Sequence, residues 1–192
     1  MAQELADALN LSEVRFIPSA NPPHKSMPIA SAKHRAAMVQ LAIADNPLFK
    51  LDTRELERAG ASYTIDTLAS LHAELGENVA LCLIMGSDAF LHLNTWARWQ
   101  QLLNYCHIIL AQRPAASKQP KLPDELAILL QDHYTDDLTD LANNAAGYIH
   151  MQAITPLDIS STKIREAFKN AAGTRYIMPE PVITYIAAHK LY

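Results

Sequence analysis

A chain of 192 residues, 49% hydrophobic and 19% charged, holds enough apolar material for one domain with a packed core and is not a disordered or low-complexity protein. Its formal net charge of -4 gives no general attraction to nucleic acid, although a local cationic pocket could still hold a small anionic substrate. The longest apolar runs, at 79–85 and 108–111, fall far short of a membrane span, and no basic stretch followed by an apolar one opens the chain, so no membrane association and a cytoplasmic location are expected.

In chain order, apolar residues at three and four spacing predict helices over 2–9, 33–44, 64–74, 95–103, 123–131, 160–168 and 179–189. Between them, short apolar or β-branched runs predict strands at 14–17, 48–52, 79–85, 107–111 and 148–152. Strands alternating with helices imply right-handed crossovers and an α/β fold: a doubly wound, mostly parallel sheet covered on both faces. The wholly apolar run 79–85 fits a central strand buried on both sides. The charge-balanced run of Arg54, Glu55, Glu57 and Arg58 reads as a solvated loop, and 115–123 as a surface loop within a single domain. Cys82 and Cys106 have no paired spacing and read as buried or partly buried thiols. The eight histidines form no helical pair or Cys/His cluster of ligand spacing, which argues against a structural zinc site.

Ligands of an open parallel sheet bind beyond the carboxyl ends of its strands, and polar residues gather there in this chain. The first strand runs into Pro18-Ser19-Ala20-Asn21-Pro22-Pro23-His24-Lys25, either a stiff turn presenting an imidazole and an ammonium or an ordinary exposed loop. The third is followed by Gly86-Ser87-Asp88, where glycine permits close backbone approach and Asp88 either accepts ribose hydroxyls or caps a helix. The fourth ends at Arg113-Pro114, a rim cation or a solvated surface charge. Trp96 either stacks on a flat heteroaromatic ring or belongs to the core, whereas Trp99 reads as core.

Beyond the last strand, Asp158-Ile159-Ser160-Ser161-Thr162-Lys163-Ile164-Arg165 sets three hydroxyl residues at a helix start, with a lysine and an arginine in its first two turns. Unpaired N–H groups and roughly half a positive charge favour an anion there, with hydroxyl donors and a guanidinium fork to hold it. Ser160 alone could equally be an ordinary N-cap.

Together these residues resemble the bacterial nicotinate-nucleotide adenylyltransferases of the wider nucleotidyltransferase superfamily. Pro22-Pro23-His24-Lys25, Ser62-Tyr63-Thr64-Ile65-Asp66-Thr67-Leu68, Gly86-Ser87-Asp88, Thr95-Trp96, Arg113-Pro114, the Ser160 to Arg165 motif and the ending Met178-Pro179-Glu180-Pro181-Val182 through Leu191-Tyr192 follow that family in order. The resemblance implies a Rossmann-like fold and transfer of the adenylyl group of ATP to nicotinate mononucleotide, giving deamido-NAD and pyrophosphate, with Mg2+ on the phosphates. It implies that Ser160, Ser161, Thr162 and Arg165 hold the ATP phosphates and that Lys25, with His24 beside it, faces the phosphate region. Gly86 and Asp88 would meet the riboses, Arg113 the adenylyl side, and Thr64 and Trp96 the nicotinate ring. Ala97 departs from the aromatic or polar residue the family often has after its tryptophan, which removes a second ring-stacking contact.

Family members open with a strand, a glycine-rich turn and a histidine pair, whereas Met1-Ala2-Gln3-Glu4-Leu5 matches the interior of the helix that follows. On the resemblance, a central strand and both catalytic histidines are missing, no catalytic residue remains to be named, and turnover should be severely impaired; one lost transition-state donor is worth ~3 kcal/mol. Two other readings stay open: a nucleotide-binding remnant without chemistry, and a related adenylyltransferase acting on nicotinamide mononucleotide or pantetheine phosphate. Thr64 and Trp96 speak against pantetheine, since they suit a flat acidic ring.

Overall fold

The computed structural model describes residues 1–21, 29–112, 121–170 and 172–192. In chain order the elements are α1 (Ala2–Ala8), β1 (Val14–Phe16), α2 (Ala32–Ile43), β2 (Phe49–Leu51), α3 (Arg54–Glu57), α4 (Thr64–Leu75), β3 (Cys82–Gly86), α5 (Ser87–Phe90), β4 (His107–Gln112), α6 (Asp124–His133), α7 (Leu138–Asn143), β5 (Ile149–Ala153), α8 (Ser161–Lys169) and α9 (Glu180–His189). Two 3-10 turns, Leu93–Thr95 and Trp99–Asn104, lie between α5 and β4. The chain divides into two compact units, Met1–Asn10 with Tyr63–Pro156, and Leu11–Ser62 with Leu157–Tyr192.

The first unit is built on a parallel sheet of order β3-β4-β5, with Cys82 opposite His107 and Ile108 opposite Ile149. Successive side chains of a strand point to opposite faces, and β4 uses both faces for core. Ile108 and Leu110 pack with Met85, Ile149, Ile65 and Leu68 of α4 and Leu126 of α6. Ile109 and Ala111 face the other way, against Leu5 of α1, Leu141 of α7 and Ile154. Helices therefore cover both faces of a parallel sheet, which is the doubly wound α/β arrangement expected from the alternation of elements.

Burial on both sides falls to β4, not to the run at 79–85. Among the described residues β3 lies at an edge of its sheet, begins only at Cys82, and buries Met85 alone. Val79 is 40% exposed, because the chain is still leaving the turn at Gly76, whose φ of 91° suits glycine. The helix expected over 95–103 is replaced by the two 3-10 turns, since Arg98 takes a left-handed φ of 53° that no α-helix can continue through. Both cysteines are free thiols, and burial pushes Cys82 up to about 11 and Cys106 up to about 12. A buried Cys106 and a partly buried Cys82, both held as unreactive thiols, are what their surroundings dictate.

The second unit carries the parallel pair β1-β2, with Val14 opposite Phe49 and Phe16 opposite Leu51. The Phe16 and Phe49 rings meet edge to face at 5.2 Å. α2 starts at Ser31, whose hydroxyl accepts the N–H of His34, and packs on α9 through His34 Nδ1 and the Tyr185 hydroxyl, 2.9 Å apart. The run Arg54 to Arg58 is not a solvated loop: its first four residues form α3, and Glu55 is buried. Arg54 closes on Asp52 at 2.7 Å. Burial alone would raise the Asp52 carboxyl, but the hydrogen bonds and charge of Arg54 outweigh it and hold that carboxyl below its ordinary value.

Candidate functional site

In the first unit, three of the predicted positions follow directly from strand and helix ends. Gly86 closes β3 and caps α5 with φ −78°, an ordinary conformation that any residue adopts, so backbone freedom does not explain the glycine. A Cβ built at Gly86 meets nothing within 4 Å, which leaves the strand end open to a ligand's approach. Asp88 is the second residue of α5 and is exposed; Gly86 occupies the cap position, so Asp88 is a carboxylate beside that opening and not the helix cap. Thr64 is the first residue of α4, where among the described residues no side chain caps the helix. The first N–H groups of a helix have no partner within it, so Thr64 and Ile65 present donors at a partly positive end.

Trp96 stands directly after the first 3-10 turn, half-buried, with part of its indole packed on the core cluster that includes Ile65 and Leu93. The core and ring-stacking readings are thus compatible, since one face of the indole can be used inward and another outward. Trp99 packs on the same cluster, as expected. Two residues after Trp96, the Arg98 guanidinium meets the Asp66 carboxylate of α4 at 2.5 Å. That pair had no sequence signal: its members are 32 residues apart, and Arg is not a residue that marks a left-handed turn. Arg113 lies outside the described residues.

In the second unit, Ser160 is the N-cap of α8, and its hydroxyl oxygen accepts the N–H of Lys163 at 3.2 Å. The cap reading is therefore correct, and it leaves the hydroxyl hydrogen available for a ligand. Ser161 and Thr162 are exposed on the first turn, which carries no acidic residue. Arg165 donates from Nη2 to Thr162 Oγ1 at 3.4 Å, bringing guanidinium and hydroxyl to one side of the helix start. Lys163 turns away to an ion pair with Asp158 at 2.5 Å. A cavity of about 440 Å³ in this unit is lined by Phe168, Thr174, Arg175, Glu180 and Ile183, and by none of the predicted phosphate residues.

His24 and Lys25 lie outside the described residues; before them, the backbone from Ser19 to Asn21 is held by hydrogen bonds. The Ser62 hydroxyl accepts the N–H groups of Ala20 and Asn21 at 3.2 and 3.3 Å, while the Ser62 N–H donates to Asn21 O. Arg35 donates to the carbonyl of Ser19. Ser62 thus ties down the exit of the first strand, a role its place in a sequence motif does not reveal. Among the described residues no group of three or more His, Cys, Asp or Glu could hold a metal ion, and no helix is long and apolar enough to cross a membrane.

Residues 1–167 match the family model described as cytidylyltransferase-like. A protein of Aeromonas salmonicida named "Probable nicotinate-nucleotide adenylyltransferase" is 44% identical over 191 residues, covering 100% of this chain and 88% of that relative. One of Pseudomonas putida with the same name is also 44% identical over 191 residues, covering 100% of this chain and 86% of the relative. Among solved structures, the Plasmodium falciparum nicotinic acid mononucleotide adenylyltransferase complexed with NaAD superposes with a TM-score of 0.67, at 19% identity, over 100% of this chain and 89% of that one, a likeness of fold. Identity of this level over the whole chain, on a doubly wound parallel α/β fold, makes the protein a member of the nicotinate-nucleotide adenylyltransferases within the cytidylyltransferase-like nucleotidyltransferases.

Proposed function

We propose that the protein transfers the adenylyl group of ATP to nicotinate mononucleotide, giving deamido-NAD and pyrophosphate, a step of NAD biosynthesis. The observation that carries this reading is the conjunction, in one unit, of a helix start at Thr64 that no side chain among the described residues caps with the half-buried indole of Trp96, joined through a shared core. A flat ring bearing a carboxylate suits both: the indole offers a stacking face, and the helix start offers N–H groups to the charge. The names of the relatives agree with it.

The chemistry needs little from a base. An oxygen of the mononucleotide phosphate, already ionised at neutral pH, attacks the α-phosphorus of ATP; the bond to the bridging oxygen breaks, and pyrophosphate leaves with that electron pair. Catalysis then rests on positioning and on stabilising charge at phosphoryl oxygens. Ser160, Ser161, Thr162 and Arg165 supply hydroxyl, backbone and guanidinium donors to the ATP phosphates, and Lys25 and His24 are assigned to the same phosphates on the motif they share with the family. Gly86 and Asp88 take the ribose side, and Arg113 the adenylyl side. Mg2+ would neutralise phosphate charge and would be brought on the triphosphate, since the described residues offer the hydroxyls of Ser160, Ser161 and Thr162 but no carboxylate cage. The cytoplasm is the location this reading implies.

Isothermal titration of the chain with nicotinate mononucleotide, nicotinamide mononucleotide and pantetheine phosphate, alongside ATP, tests the reading. Binding of ATP and preferential binding of the nicotinate nucleotide are expected. Preference for another acceptor overturns the assignment of substrate, and ATP binding without any acceptor indicates a nucleotide-binding protein without this chemistry.

A further inference from the structure

Arg98 is placed at some conformational cost. Its φ of 53° and ψ of 36° lie in the left-handed region, which glycine or asparagine occupies more readily. The ion pair it makes with Asp66 is 49% and 39% exposed at its two ends, and pairs so exposed contribute little to stability. The strain is thus not explained by what the pair does for the fold.

The position of Asp66 supplies a reason. It is the third residue of α4, in the same first turn as Thr64 and Ile65, and its own N–H donates to Tyr63 O. A carboxylate in that turn already occupies the field of the helix start, and a second anion arriving at Thr64 is repelled by it. The Arg98 guanidinium, set directly on Asp66, cancels that charge. The same side chain ties the backbone two residues beyond Trp96 to the start of α4, so the indole and the N–H donors are held together by one contact.

We propose that Arg98 is a positioning residue for specificity: by neutralising Asp66 it makes the start of α4 receptive to the carboxylate of an acidic pyridine ring over its neutral carboxamide counterpart, and it registers Trp96 beside it. The inference rests on the ring placement at Thr64 and Trp96 proposed above. A pair that merely stiffened the fold would affect both ring types alike.

Titration calorimetry of the full chain separates these cases by measuring Kd for nicotinate mononucleotide and nicotinamide mononucleotide. Arg98→Asn removes the cation and keeps a residue suited to the left-handed conformation; Arg98→Gly serves if the asparagine variant unfolds. The preference for the acidic nucleotide is expected to fall about tenfold, the order of a like-charge interaction across several ångströms of partly solvated protein, with the amide nucleotide changed less than about twofold. Adding Asp66→Asn to Arg98→Asn is expected to restore the preference to within about threefold of the original. Parallel weakening of both nucleotides, or no recovery in the double variant, overturns the proposal while leaving the ring placement standing. An unsubstituted chain that shows no preference for the acidic nucleotide overturns the ring placement, and this inference with it.

Discussion

The imidazole of His107 is locked between two backbone groups, its Nδ1 accepting the N–H of Tyr148 at 3.2 Å while its ring lies stacked on that of Tyr148 with centroids 5.7 Å apart. Nε2 lies 2.8 Å from the carbonyl oxygen of Asn144, to which it donates. With one nitrogen accepting and the other donating, the ring is a neutral tautomer, and protonation would destroy the Tyr148 contact. Burial pushes its pKa below the ordinary 6.5. The unfolded chain therefore binds a proton there that the folded chain refuses, and this contribution to stability is present above 6.5 and lost as pH falls below it. Urea midpoints at pH 7.5 and 5.5 should converge for His107→Gln but drop with acid for the unsubstituted protein. Parallel loss in both would show that other groups govern the acid limb.

Glu4 works the opposite end of the same unit. Its carboxylate accepts the backbone N–H of Thr155 at 2.9 Å, tying α1 to the segment leaving β5. Hydrogen bonds from Thr155 hold its pKa down at about 2 against an ordinary 4.5. A depressed carboxylate stabilises the fold above 4.5, and that contribution fades as pH falls toward 2. Glu4→Gln should lower the denaturation midpoint at pH 7 and converge with the unsubstituted protein near pH 2; a constant offset between them across that range counts against the hydrogen bond as the cause.

At Ser160, cap and phosphate roles can be separated by charge. Ser160→Ala removes the acceptor for Lys163 N–H and should cost about 1 kcal/mol of stability. Ser160→Asp keeps a good cap, so stability should change by less than about 0.5 kcal/mol, yet its negative charge at the helix start should weaken ATP binding at least tenfold. Retained ATP affinity in the aspartate variant would reduce Ser160 to a cap alone.

Gly86→Ala isolates ligand approach from folding. The added Cβ meets nothing within 4 Å and the backbone is unstrained, so the unfolded-state gain of alanine and its poorer fit at a helix cap should leave stability within about 1 kcal/mol. Nucleotide affinity should fall, because the methyl occupies the opening at the end of β3. An alanine variant that binds ATP as well as the parent would place the nucleotide elsewhere.

Trp96→Ala and Trp96→Phe divide the two uses of the indole. Alanine removes core packing and ring stacking together, lowering both the melting temperature and the affinity for nicotinate mononucleotide. Phenylalanine should recover most of the stability and only part of the affinity. Equal recovery of both would mean that the ring serves the core alone.

The strand and helix order could be read from the sequence because periodicity depends only on which residues alternate: all five strands stand within three residues of their expected starts, and the Ser160 cap sits where a hydroxyl before an amphipathic run demands it. Family membership was legible for the same reason, being carried by short contiguous motifs. What sequence could not supply was neighbourhood. The apolar run at 79–85 resembles a buried strand, but which strand lies in the middle of a sheet is decided by pairing, and β4 took that place. The regular spacing of 95–103 concealed a left-handed Arg98, whose partner Asp66 lies 32 residues earlier. Local propensity and motif order were written in the chain, whereas charge partners, open strand ends and the tautomer of His107 came only from residues that folding brought within a few ångströms of one another.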